Sequence, residues 1–145
     1  MTPEEARTAL LDQFPDFQAP ELDAEDLEDP YLVFGRLGLA GWVEALMRDF
    51  AREETLRRVF TFIEQLLDKG SRDVRSLVAT AFLEALARPT GEGDPPSVSR
   101  AAHYMGPKTG YLFGEMQAFW TGTLDAFHAT TNNPWANDDL LPMFT

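Results

Sequence analysis

The chain of 145 residues contains no cysteine. That excludes disulfide staples, thiolate zinc sites and cysteine nucleophiles, and it suits a reducing cytoplasm. Bases are scarce, 12 against 24 acids, for a net charge of −12. So acidic a chain lacks the surface that nucleic acid or an anionic membrane requires. No apolar run approaches the roughly 20 residues a membrane-spanning helix needs. The first thirty residues are acidic rather than basic and then apolar, unlike a secretory signal. No segment alternates polar and apolar residues convincingly, so strands are not expected. What is present is ordinary for a folded protein, with 44% apolar and 25% charged residues. The length is that of one domain, residues 1–145.

The charge is placed unevenly. Residues 1–34 carry ten acids and a single base, Arg7, for −9. Residues 35–100 balance ten acids with ten bases, and residues 101–145 sum to −3. Acids at Glu21, Asp23, Glu25, Asp26, Glu28 and Asp29 are interrupted by Leu22, Leu27 and Tyr31, with Phe14 and Phe17 just upstream. Apolar side chains among acids give such a run anchor points that a purely acidic tail would lack.

Hydrophobic spacing predicts an all-α fold of five or six helices. Thr2-Pro3-Glu4-Glu5 reads as a helix start, with Thr2 as cap and Pro3 at the first helical position. Residues 15–30 read as an acidic connector between prolines. A helix over about 31–51 would carry Gly35, Gly38 and Gly41 as a side-chain-poor ridge; the other reading starts it near Gly41, after an irregular turn. Two clear stripes follow, Leu56 to Leu67 and Val74 to Leu86, separated by Lys69-Gly70-Ser71, so an antiparallel hairpin is expected. Phe62 and Leu83 lie off those stripes and suggest contact on two sides. Residues 88–96 read as a loop, followed by a short helix ending near Gly106-Pro107. A last long helix is predicted over 108–129, with Leu112, Phe113, Met116, Phe119, Trp120, Leu124 and Phe127 on a broad core face. Residues 130–145 read as an irregular aromatic tail that either folds back to cover the helices or stays accessible as an acidic binding edge.

Catalytic and cofactor signatures are missing. The Gly35, Gly38, Gly41 spacing is wrong for a dinucleotide fingerprint, and Gly106-Pro107-Lys108-Thr109 lacks the upstream glycine of a phosphate loop. The run 23–29 lacks the glycine of a calcium loop. His103 and His128 stand without partners at metal-ligand spacing, so His128 reads as a helix C-terminal cap and His103 as structural. Glu64 and Glu84 are expected to face solvent or to pair with Arg57, Arg58 or Arg88. No catalytic residue, cofactor or metal is assigned.

Phe60-x-Phe62-Ile63-Glu64-x-Leu66, Val74-x-x-Leu77-Val78, Phe82-Leu83-Glu84-x-Leu86 and Tyr104-Met105-Gly106-Pro107-Lys108-Thr109 resemble a helical bacterial family of unknown function. The resemblance spans roughly residues 30–112. Proteins of this kind are often grouped with immunity proteins of polymorphic toxin systems. It implies a helical fold and no catalytic residues.

Charge and resemblance together give the expected function: an acidic cytoplasmic monomer that neutralises a cognate, basic toxin by direct contact. Asp23, Glu25, Asp26, Glu28 and Asp29 would supply the field, with Asp138 and Asp139 adding to it. Phe17, Tyr31, Trp135 and Phe144 would anchor the interface. The alternatives are a nucleic-acid mimic that inhibits a defence protein, and a small enzyme or ligand-binding bundle with a pocket near His103, Tyr104 and Tyr111.

Overall fold

Helix ends in this chain are set mostly by local chemistry. In the computed structural model, which describes residues 1–88 and 100–135, α1 (Pro3–Gln13) starts on a reciprocal capping box. The Thr2 hydroxyl accepts from the Glu5 N–H at 3.1 Å, and Glu5 accepts from the Thr2 N–H at 3.2 Å. The connector then runs to a single 3-10 turn (Asp26–Glu28) and α2 (Pro30–Phe34), capped by Asp29. After Gly35–Gly38 comes α3 (Leu39–Arg48), then a 3-10 turn (Phe50–Arg52) and α4 (Glu53–Lys69). Ser71 caps α5 (Arg72–Leu77), which continues through a π-helical turn (Val78–Leu83) into α6 (Glu84–Ala87). A helical turn at 100–102 precedes α7 (Pro107–Thr121) and α8 (Leu124–Thr130). The described residues contain no strand.

α4 is the central element. Its stripe Leu56, Val59, Phe60, Ile63, Leu66 and Leu67 is buried, and the off-stripe Phe62 is only 3% exposed. Phe60 meets Phe82 at 6.1 Å between ring centroids; the two residues lie about equally far on either side of Gly70, as an antiparallel hairpin requires. Phe62 faces the other way and meets Phe14 at 5.7 Å, which in turn meets Trp42 at 6.2 Å. Phe62 thus makes the second contact expected of it, and the other off-stripe residue, Leu83, is fully buried. Each such side chain contributes about 1.5–3 kcal/mol by leaving water.

Two long helices expected from periodicity are broken. The 31–51 segment is two helices, because the backbone turns at Gly35–Gly38; the glycines make this turn rather than a helical ridge. The 108–129 segment breaks at Gly122, whose φ of 75° and ψ of 20° form a left-handed C-cap for α7. Nothing lies within 4 Å of where a Gly122 side chain would begin, so alanine there meets only the conformational penalty. Gly122→Ala is expected to cost about 1 kcal/mol, read as a fall of roughly 3 °C in Tm. An unchanged or raised Tm would contradict the assigned conformation.

Candidate functional site

The acidic connector is a fixed surface. Asp23 and Asp26 accept each other's backbone N–H, at 2.8 and 3.2 Å. Arg7 donates from Nη1 to the Leu27 carbonyl at 3.3 Å, tying the run to α1. Asp29 accepts the Tyr31 N–H at 2.9 Å, and Phe17 rests edge-on against Trp42 at 5.4 Å. The backbone is thus held, while Glu21, Asp23, Glu25, Glu28 and Asp29 remain exposed and Asp26 partly so. No base pairs with any of these six among the described residues; the connector's one ion pair lies upstream, Asp16 with Arg52 at 3.1 Å. Tyr31 and Leu32 stand exposed at the end of the run, at 49% and 40%.

The expected anchors divide. Tyr31 is open to solvent, whereas Phe17 is half-buried on Trp42. Trp135 is a correction: it is 4% exposed, packed edge-on to Tyr111 at 6.3 Å with the Lys108 ammonium over its ring at 5.7 Å. The tail's first aromatic therefore completes the core instead of offering a contact. Asp138, Asp139 and Phe144 lie outside the described residues, as does most of the loop read over 88–96. Exposed aromatics occur where none was expected. Phe119 (47%) and Trp120 (39%) fall in the last turn of α7, with Arg88 over Trp120 at 5.4 Å.

The motif residues of the central scaffold are explained by one long-range contact. Glu64 on α4 accepts from the Lys108 N–H at 3.1 Å, the Thr109 N–H at 2.9 Å and the Thr109 hydroxyl at 2.8 Å. Its carboxylate caps α7, filling the place that a phosphate occupies at other helix starts. A Cβ on Gly106 would lie 2.6 Å from that carboxylate, which is why the residue before Pro107 has no side chain. Glu64, partly buried, thus turns its carboxylate to α7 and not to an arginine. Arg57 pairs instead with Glu53 at 3.3 Å, and Arg58 lies over the Phe14 ring at 5.1 Å. Lys108 Nζ meets Asp68 at 2.6 Å. That hydrogen bond, followed by the charge of Lys108, holds the Asp68 carboxyl below its usual range. The contribution is therefore present above the ordinary carboxyl pKa and lost as pH falls through the lowered one.

His128 does not cap a helix: its Nε2 lies 2.6 Å from Oε2 of Glu115, a fully buried carboxylate on α7. The pair joins α7 to α8 across the Gly122 break. Burial, then the nearby Glu115 charge, raises the pKa of the Tyr111 hydroxyl and keeps it a neutral phenol. His103 is exposed and lines an open cleft with Tyr104, while Tyr111 is buried elsewhere against Phe127 and Trp135. The three residues expected around one pocket are thus divided between two places.

These features define an all-α domain that displays an unneutralised acidic face. Among the described residues no group of histidines and carboxylates could hold a metal, and no helix is long and apolar enough to cross a membrane. The chain belongs to the family described as domain of unknown function DUF7674, whose model matches residues 7–121. The match takes in the acidic connector, which the motif resemblance left uncovered, and ends with α7. The family's description names no activity and carries no link to immunity proteins. Comparisons with curated proteins and with solved structures find no match.

Proposed function

We propose that this chain is a binding protein that neutralises a basic protein partner, in the manner of an immunity protein facing its toxin, and that the connector at 21–29 is the recognition face. The observation that carries this reading is the ordered array of exposed carboxylates without a single paired base among the described residues. A solubility feature needs only charge, not an array held by reciprocal backbone hydrogen bonds and an arginine tether. Fixed like charges produce a field that steers a basic surface and raises its association rate. Tyr31 and Leu32 beside the array offer apolar contact once the partner has arrived.

Replacing Asp23, Glu25, Asp26, Glu28 and Asp29 together by their amides tests the reading. Asparagine caps backbone N–H groups about as well as aspartate, so the connector should stay folded. Binding to the product of the neighbouring gene, followed by stopped-flow fluorescence, should slow by about tenfold or more, with a flatter salt dependence. Absence of any complex between the two proteins on size exclusion would refute the proposal. So would an unchanged salt dependence in the amide variant.

A further inference from the structure

An open cleft of about 720 Å3 lies between the first turns of α4 and the segment at 100–104. Glu53, Arg57, Thr61, Arg100, His103 and Tyr104 line it, and no connector residue takes part. Its chemistry inverts the chain's average. On a protein of net charge −12, two guanidinium groups and an imidazole here meet one carboxylate among the described residues.

That carboxylate is already occupied. Glu53 Oε1 accepts from the Tyr104 hydroxyl at 3.0 Å and from Arg57 Nη2 at 3.3 Å. The Tyr104 hydrogen bond first, and Arg57 second, hold Glu53 below the usual carboxyl range, so it stays ionised. The walls are fixed by contacts outside the cleft. Arg100 donates to the Met47 carbonyl, and the Tyr104 ring stacks on Phe60 at 6.3 Å with 13° between planes. Thr61, one turn beyond Arg57 on α4, brings a hydroxyl to the same side. Donors held in place before a ligand arrives lose little entropy on binding it.

The geometry points to this cleft as a binding site for a small phosphate monoester. Guanidinium forks match phosphate oxygens two at a time, and two of them with an imidazole suit a dianion better than a single carboxylate. Thr61 supplies a neutral donor. The volume lies in the range of small-molecule sites, leaving room for the organic part of the ester.

The test is a titration of the full isotopically labelled chain with inorganic phosphate and with phenyl phosphate, at ionic strength held constant with sodium chloride. Saturable amide shifts are expected at Arg57, Thr61, His103 and Tyr104, half-complete at about 1 mM or below. Arg57 is exposed, so Arg57→Gln should leave the fold intact and weaken binding by about tenfold or more. Glu53→Gln removes the Glu53 charge from the cleft and should tighten binding, a direction that a purely structural role for these residues does not produce. The five-amide connector variant should still bind both phosphates at this cleft, which keeps this site independent of the proposed partner face. The absence of saturable shifts up to about 20 mM would overturn the assignment. So would weaker binding in Glu53→Gln, or acetate binding as tightly as phosphate.

Discussion

Gly38→Ala is expected to destabilise the protein by about 3–5 kcal/mol, among the largest effects a single substitution produces. A Cβ at this position would lie 2.0 Å from the Val33 carbonyl oxygen, 2.6 Å from that of Leu32 and 2.6 Å from the Val33 carbonyl carbon. All three atoms are backbone, so no side chain can swing aside to make room. The turn that joins α2 to α3 would have to open, and with it the packing of Val33, Phe34, Leu39 and Ala40, all buried. Domains of this size are stable by roughly 5–15 kcal/mol, so the variant would sit near the edge of folding. Urea unfolding followed by far-UV circular dichroism reads the loss as a lower midpoint with the slope retained. A loss below about 1 kcal/mol would show that the α2–α3 turn is built differently.

Glu64→Ala should cost about 3 kcal/mol. The change removes three hydrogen bonds to one carboxylate and uncaps α7. Losing a helix cap costs up to about 2 kcal/mol, and hydrogen bonds to a charged acceptor are worth about 1.5–3 kcal/mol. Thr109 is fully buried, so its hydroxyl would be left without the Glu64 acceptor. Glu64→Gln keeps one oxygen and should fall between the two. Gly106→Ala should act through the same contact, because its Cβ would displace the Glu64 carboxylate. With Glu64 shortened to alanine the added methyl has room, so the double variant should be more stable than the sum of the two losses by about 1 kcal/mol or more. Strict additivity in urea melts would break the link between the two positions.

The parts of the fold that were legible in the sequence are those decided within a few residues. The Thr2 cap, the break at Lys69-Gly70-Ser71 and the apolar stripe of α4 follow from spacing alone, and the structure places each as read. Gly35, Gly38 and Gly41 were ambiguous for a physical reason. Their three-residue spacing fits a helical ridge as well as a tight turn, and only contact with the Val33 and Leu32 carbonyls decides between them. The break at Gly122 is hidden in the sequence because the apolar pattern of α7 continues past it in phase.

Long-range pairings were invisible for another reason. Glu64 reaches α7 across more than forty residues, and Glu115 finds His128 only after α8 folds back. Neither spacing matches a motif, so from sequence Glu64 reads as a solvent-facing or arginine-paired group and His128 as a helix cap. The acidic connector was legible as charge, but its fixed backbone was not, since the Arg7 tether depends on where Leu27 comes to lie. Trp135 was ambiguous because an aromatic in an irregular tail reads equally as an anchor or as core.

The π-helical turn at Val78–Leu83 has a consequence for how this family can change over time. A π turn holds one more residue than an α turn, so it is the form a single inserted residue takes once a helix has absorbed it. Side chains beyond it are rotated relative to those before it, which lets one continuous helix bury Val74 and Leu77 on one bearing and Leu86 and Ala87 on another. Relatives one residue shorter at this point would keep every flanking helix yet turn α6 to a different bearing, and would have to repack its contacts with α3 and α7. Length variation inside this helix is therefore coupled to composition outside it, a form of drift that substitution counts alone would miss.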